Sequence, residues 1–178
     1  METFIERILE FKVKNIGVRI DTVSKPSGQH TRRLIIDYPD AIAIIPFIPP
    51  DHVLMVRQFR YALNQETLEF PAGKIDPGES AEDAVHRELL EETGYRAGKI
   101  QKIQTYAPAM GYSSERIHLF FVTDLIKTEY AIDLDEISTV EKISLEKVWK
   151  GVLEDTFIDP KIPIGMLLAD KLGLLRVS

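Results

Sequence analysis

Residues 73–95 read GKIDPGESAEDAVHRELLEETGY, and this stretch decides the fold. Ala81, Ala84, Val85, Leu89 and Leu90 recur at helical spacing, which predicts a helix over 80–93. Ser80 with Asp83 three residues on reads as an N-cap with an acid in the first turn, where the helix dipole favours negative charge. Gly94 suits a left-handed C-cap. On such a helix Glu88 and Glu92 share a face and Glu91 lies beside them. Each like-charge pair at this spacing costs a few tenths of a kcal/mol. Two readings stand side by side. The acids are a solvated helix face, or they are hard oxygens gathered for Mg²⁺ or Mn²⁺. Mg²⁺ is commonly shared with substrate phosphates, so the second reading points to phosphoryl chemistry. Arg87 is placed to donate a bidentate contact to Glu79 and to hold the preceding loop to the helix.

Outward from this helix the chain is rich in strand patterns. Leu9 to Val23 is Val/Ile-rich and partly alternating, Lys25-Pro26-Ser27-Gly28 is a turn, and Thr31 to Asp37 is extended again, which together predict a β-hairpin. Ala41–Phe47 and Val53–Phe59 are apolar runs separated by Pro49-Pro50-Asp51. Lys99–Tyr106, Arg116–Asp124 and the short Val140–Ile143 are further strand candidates. Leu145–Leu153 and Pro163–Leu172 read as helices, with Pro163 acceptable in a first turn. Strands interleaved with a few helices, without strict alternation, predict an α+β or mixed α/β sandwich.

The chain has 178 residues, one domain by default with a small N-terminal appendage. At 44% hydrophobic and 28% charged it can fill a core, which excludes wholesale disorder. A formal net charge of −6 disfavours general nucleic-acid binding. Without cysteine, disulfides, thiolate metal sites and Cys nucleophiles are excluded. No apolar run reaches the roughly 18–20 residues of a membrane span, and METFIERILEFKVK has no apolar signal core, so the expectation is a cytoplasmic protein without a membrane partner. His30, His52, His86 and His118 form no metal-ligand spacing, and Trp149 reads as packing. Gly165 and Gly173 show no phosphate-loop pattern.

The helix segment resembles the signature of Nudix hydrolases: Gly73, five residues, Glu79, seven residues, Arg87-Glu88, an aliphatic residue, one residue, Glu91-Glu92, one residue, Gly94, then a bulky apolar residue. Every polar position matches, and Tyr95 replaces the more usual aliphatic residue, a change that touches packing rather than chemistry. A chance match is on the order of one in ten million. Gln58-Phe59-Arg60-Tyr61, Leu68-Glu69-Phe70-Pro71-Ala72-Gly73, the N-terminal hairpin and Ile158-Asp159-Pro160-Lys161 are similar to the ADP-ribose pyrophosphatase branch. The resemblance implies a Nudix-type α/β/α sandwich with a mixed sheet. It also implies an N-terminal β-hairpin region, 1–40, that reaches a partner subunit in a homodimer, and a hydrolase domain, 41–178, with its signature at 73–95.

It further implies Mg²⁺-dependent hydrolysis of a nucleoside diphosphate sugar, ADP-ribose giving AMP and ribose 5-phosphate, with Mn²⁺ as a substitute metal. Glu88, Glu92 and the Ala72 carbonyl resemble metal ligands, and Glu91 resembles an acid that binds metal or orients water. Arg87 resembles the structural partner described above, with Glu79 assisting it. Arg60 and Glu69 resemble contacts to the nucleotide end. In the branch the catalytic base resembles an acid of a late loop, here Glu136, then Asp135 or Asp133, and a solvated acidic turn is the other reading of that loop. In Ala107-Pro108-Ala109-Met110-Gly111-Tyr112-Ser113-Ser114-Glu115, Gly111 and Glu115 match the branch's substrate loop while Pro108 is shifted. That shift bears on the substrate more than on the chemistry. GDP-mannose or another nucleoside-diphosphate derivative, a non-catalytic sensor and RNA decapping are the competing readings. The intact acids disfavour the sensor, and the acidic balance disfavours decapping.

Overall fold

In the computed structural model, which describes residues 1–132 and 137–175, Val/Ile alternation becomes sheet from the first residues on. β1 (Thr3–Val13), β2 (Ile16–Ser24) and β3 (His30–Asp37) form an antiparallel sheet in the order β1-β2-β3. The hairpin expected over 9–37 is therefore extended by a third strand. The extra turn lies at Lys14, whose φ of 53° reverses the chain with neither Gly nor Pro. In register, Leu9, Ile20 and Leu34 form one cross-strand row and Phe11, Val18 and Ile36 the next. Arg7 and Arg19 meet Asp21 at 3.0 and 2.6 Å, and Arg19 also pairs with Asp37.

β4 (Ala41–Ile48) and β5 (His52–Arg60) follow, with β6 (Gln65–Glu69) and β7 (Ala72–Lys74) after them. Then come α1 (Ala81–Thr93), β8 (Tyr95–Arg96), β9 (Lys99–Tyr106), β10 (Ile117–Thr123), β11 (Ile126–Lys127), β12 (Ile137–Ser144), α2 (Leu145–Leu153) and α3 (Lys161–Lys171). β12, β5, β4, β10 and β9 run in that order through a seven-stranded sheet; β6 joins at β5 and β7 at β4. β8 and β11 form a small ladder of their own. The whole is a mixed α/β fold, as the resemblance implies, with an added N-terminal antiparallel sheet. Two compact units make it up: Met1–Ala41 with Thr105–Ile117, and Ile42–Gln104 with the chain from His118 onward.

The sequence dictates α1 closely. Ser80 Oγ accepts from the Asp83 N–H at 3.1 Å, and Gly94 takes φ 73°, its N–H donating to the Leu90 carbonyl. Ala84, Val85 and Leu89 pack with Ile42, Ile44, Phe120 and Val122 in a fully buried cluster. Burying a Leu or Val side chain contributes about 1.5–3 kcal/mol, which fixes the rotation of α1 on the sheet and with it the direction of its acids. Among the described residues, no helix is long and apolar enough to cross a membrane.

Candidate active site

The loop before α1 and the helix itself are clamped by one guanidinium. Arg87 donates from Nε and Nη2 to the two Glu79 oxygens at 2.9 and 2.8 Å, and from Nη2 to the Lys74 carbonyl at 2.9 Å. Its Nη1 reaches Glu88 Oε1 at 2.6 Å and Glu91 Oε2 at 3.4 Å. Fork-to-fork pairing of this kind is the strong form of an ion pair. The Glu79 hydrogen bonds hold Arg87 charged against its burial, and Arg87 in turn holds the Glu79 carboxyl below its ordinary range.

The acids fan out along the final turns of α1. Glu92 is buried and accepts from the Ala72 N–H at 3.1 Å; Glu88 is largely buried, and Glu91 is more exposed. The last turn carries no basic residue, so Glu91 and Glu92 oppose the helix dipole as well as each other. Gly73 lies against Glu88: a Cβ built at Gly73 would overlap the Glu88 carboxylate. The glycine thus opens the space into which this acid folds beside the backbone of β7. Three carboxylates, Glu79, Glu88 and Glu91, meet Arg87, and Glu92 adds a fourth acid beside them. Such a gathering of hard anionic oxygens suits a divalent cation. Among the described residues, no three His, Asp or Glu side chains converge as a complete metal cage. That is compatible with Mg²⁺, which is usually held by one or two carboxylates, water and substrate phosphates.

A second charged network adjoins the first. Glu69 accepts from Arg60 Nε and Nη2 at 2.6 and 2.7 Å, from Thr67 Oγ1 at 2.6 Å and from Lys161 Nζ at 3.0 Å. A carboxylate offers about four lone-pair sites, and here four donors take them. Burial alone would push the Glu69 carboxyl up; the Arg60 hydrogen bonds, the Lys161 charge and the Thr67 hydroxyl outweigh it and hold its pKa at about 2. Arg60 is the exposed member of the pair, with 40% of its side chain open against 6% for Glu69. Its charged form is favoured chiefly by Glu69 and more weakly by the charges of Glu92 and Asp159.

Ala72, Arg87, Glu88, Glu91 and Glu92 are thus gathered at the β7–α1 junction, with Arg60 and Glu69 in the adjoining network. Gly111 and Glu115 lie on the 105–117 segment, in the other compact unit. There the Glu115 N–H donates to Ser113 Oγ, and a Cβ at Gly111 would meet open space, so no steric demand explains that glycine. Asp133, Asp135 and Glu136 lie outside the described residues. Sequence reasoning assigned no role to Thr67, Asp159 or Lys161. Only the resemblance of Ile158-Asp159-Pro160-Lys161 to the pyrophosphatase branch drew attention to that stretch.

A family model described as NUDIX domain matches residues 37–162. The chain is 35% identical over 153 residues to an ADP-ribose pyrophosphatase of Bacillus subtilis, covering 85% of this chain and 83% of that one. It is 32% identical over 158 residues to a methanol dehydrogenase activator of Bacillus methanolicus, covering 88% and 85%. Among solved structures, a crystal structure of an ADP compounds hydrolase superposes with a TM-score of 0.84 at 22% identity, covering 99% of this chain and 97% of that one, a likeness of fold.

Proposed function

Because this chain belongs to the Nudix hydrolase family, a family of enzymes acting on nucleoside-diphosphate-linked substrates, we propose that its own substrate is an ADP-linked sugar, with ADP-ribose cleaved to AMP and ribose 5-phosphate. The observation that carries the proposal is the pairing of two sites. The acids of α1 stand ready for a diphosphate, and the partly exposed Arg60, held by Glu69, is joined to them through the short segment Glu69–Ala72, whose Ala72 N–H meets Glu92. The pyrophosphatase relative, similar over most of both chains, supports ADP-ribose as the first substrate to test.

In this reading Glu88, Glu92 and the Ala72 carbonyl would hold Mg²⁺, or Mn²⁺ in its place, with Glu91 beside them. A bound cation would supply charge neutralisation of the diphosphate and a more acidic water. The protein's own contribution is placement. Arg87 fixes Glu88 and Glu91 against loop and helix, Gly73 leaves room for Glu88, and Glu92 is held by the Ala72 N–H. Arg60 offers a planar donor set to an anionic or base oxygen at the nucleotide end, oriented by Glu69. Glu136, or Asp135 or Asp133, would take the proton of the attacking water, at the gain typical of a general base.

Residues 1–40 are, in the same reading, a dimerisation region and 41–178 the hydrolase domain. Leu9, Phe11, Val13 and Leu34 stand about half exposed on β1 and β3, a face of apolar rows whose matching partner is a second copy of the same sheet. The net charge of −6 and the composition support a cytoplasmic enzyme acting on a small molecule rather than on nucleic acid or membrane.

The test is a panel of ADP-ribose, GDP-mannose, UDP-glucose, NADH and diadenosine polyphosphates with Mg²⁺, with product analysis. ADP-ribose is expected to give the highest kcat/KM, with AMP as product. Preferential turnover of GDP-mannose would move the substrate class, and no turnover of any of them would remove the catalytic reading.

A further inference from the structure

Asp159 and Lys161 open α3, about ninety residues downstream of the segment they touch. Asp159 is almost entirely buried and the Lys161 side chain largely so. Lys161 Nζ bridges two carboxylates, Glu69 at 3.0 Å and Asp159 at 2.8 Å. Asp159 accepts from the Lys161 N–H at 2.9 Å through Oδ1 and from the Phe70 N–H at 3.2 Å through Oδ2. Arg60, Lys161, Glu69 and Asp159 carry two positive and two negative formal charges, so the cluster is neutral as a whole. Burial disfavours the charge on Lys161, and the two carboxylates outweigh it.

A buried ion network of this kind is a poor way to gain stability, because desolvation offsets most of the attraction. Its effect here is geometric. The segment from Glu69 to Ala72 is tied at every residue: Glu69 to Arg60 and Lys161, the Phe70 N–H to Asp159, the Pro71 carbonyl to the Ile44 N–H at 2.9 Å, and the Ala72 N–H to Glu92. One end of that segment aims Arg60 and the other abuts the acids of α1.

We propose that Lys161 and Asp159 are positioning residues for substrate recognition: through Glu69 and the Phe70 N–H they set the placement of Arg60 against Glu92 and thereby the span over which a nucleoside diphosphate is gripped. The proposal rests on the functional reading above and adds to it a determinant outside the signature helix. Lys161 acts through Glu69, whose four acceptor sites are taken, so Arg60 is the group that meets substrate.

The test uses the whole chain with Lys161→Met, Lys161→Arg and the charge-neutral double substitution Asp159→Asn/Lys161→Met. The first readout needs no substrate: the side-chain Nε–H resonance of Arg60 in a ¹⁵N spectrum, assigned with Arg60→Lys, with the Arg87 Nε–H as reference. Lys161→Met is expected to shift or broaden the Arg60 signal while leaving that of Arg87 in place, and Lys161→Arg to restore it. The second readout is kinetic. KM for ADP-ribose should rise about tenfold in Lys161→Met with kcat within about threefold, the pattern of lost binding rather than lost chemistry. In an Arg60→Ala background that rise should vanish, since the two residues act on one contact. An unmoved Arg60 signal, a fall in kcat at constant KM, or full additivity with Arg60→Ala would overturn the proposal. If Lys161→Met does not fold, the double variant decides by the same criteria. Absence of ADP-ribose turnover by the unaltered chain counts against the substrate reading alone, and the Arg60 resonance still decides the positioning role.

Discussion

The Glu88 carboxylate occupies the space that a side chain at Gly73 would need. The φ of Gly73 is not positive, so its constraint is room rather than backbone freedom. Gly73→Ala should therefore leave β7 formed and drive Glu88 out of its place against the strand. We expect kcat to fall at least a hundredfold, about 3 kcal/mol of transition-state stabilisation, with the melting temperature shifted by only a few degrees. Steady-state kinetics and a circular-dichroism melt on the same preparation check this. Near-normal kcat in Gly73→Ala would dissociate Glu88 from the chemistry.

The proposed metal role of Glu92 is tested by its neutral isostere. Glu92→Gln keeps the volume and still accepts from the Ala72 N–H, so the fold should persist. Turnover should be lost because a neutral amide is a weak ligand for a hard cation. Chelation should silence the unaltered enzyme and added Mg²⁺ restore it, whereas no Mg²⁺ concentration should rescue Glu92→Gln. Activity of Glu92→Gln with Mg²⁺ would defeat the metal assignment.

Arg87→Lys tests the clamp. The guanidinium makes a bidentate contact to Glu79 and simultaneously reaches the Lys74 carbonyl, Glu88 and Glu91. An ammonium has three donors and no fork, so this exchange is not conservative. We expect kcat to fall about tenfold or more with stability lowered by about 1–3 kcal/mol, as for loss of charged hydrogen bonds. Denaturant unfolding alongside kinetics separates the two effects. Unchanged values for both would reduce Arg87 to a surface charge.

What was legible in the sequence follows interaction range. The helix Ala81–Thr93, its Ser80 and Gly94 caps and the Arg87–Glu79 contact depend on residues within one loop and helix, so spacing alone revealed them. The reversal at Lys14 escaped because a non-glycine residue takes positive φ there, stabilised by the pairing of β1 with β2 on either side. β6 and β7 escaped because Gln65–Glu69 is short and polar and Ala72–Lys74 shorter still; they are strands by virtue of the neighbours they pair with. Lys161 carries no local signal of its role, since its partner Glu69 is 92 residues away in sequence. Asp133, Asp135 and Glu136, named through the family resemblance, lie outside the described residues.

The apolar rows of the N-terminal sheet predict the oligomeric state. Leu34 is half exposed on β3 opposite Ile20, in the row that also holds Leu9. Leu34→Asp should place a charge on the apolar face proposed to meet a second copy, and a desolvated unpaired charge is severely unfavourable. The unaltered chain should scatter light as a dimer at micromolar concentration and Leu34→Asp as a folded monomer. A monomeric unaltered chain would remove the dimer from the functional reading.

Acid should weaken the protein through Glu69 in a defined window. Its carboxyl is held at about 2 in the folded state by Arg60, Lys161 and Thr67, against an ordinary value of 4.5. A depressed folded-state pKa means that the unfolded chain binds the proton first, so stability falls as pH drops. The contribution is whole above about pH 5, declines from there and is gone below about pH 2. Glu69→Gln removes it at every pH and leaves Arg60 and Lys161 without their shared anion, at a cost of about 3 kcal/mol at neutral pH. The difference in unfolding free energy between the unaltered chain and Glu69→Gln should therefore be greatest at pH 6–7 and shrink steadily between pH 5 and pH 2.5. Glu79, also held low by its arginine, titrates in both proteins and cancels in the difference. Urea unfolding across that range measures it, and a difference that stays constant with pH would show that Glu69 does not carry its charge in the buried network.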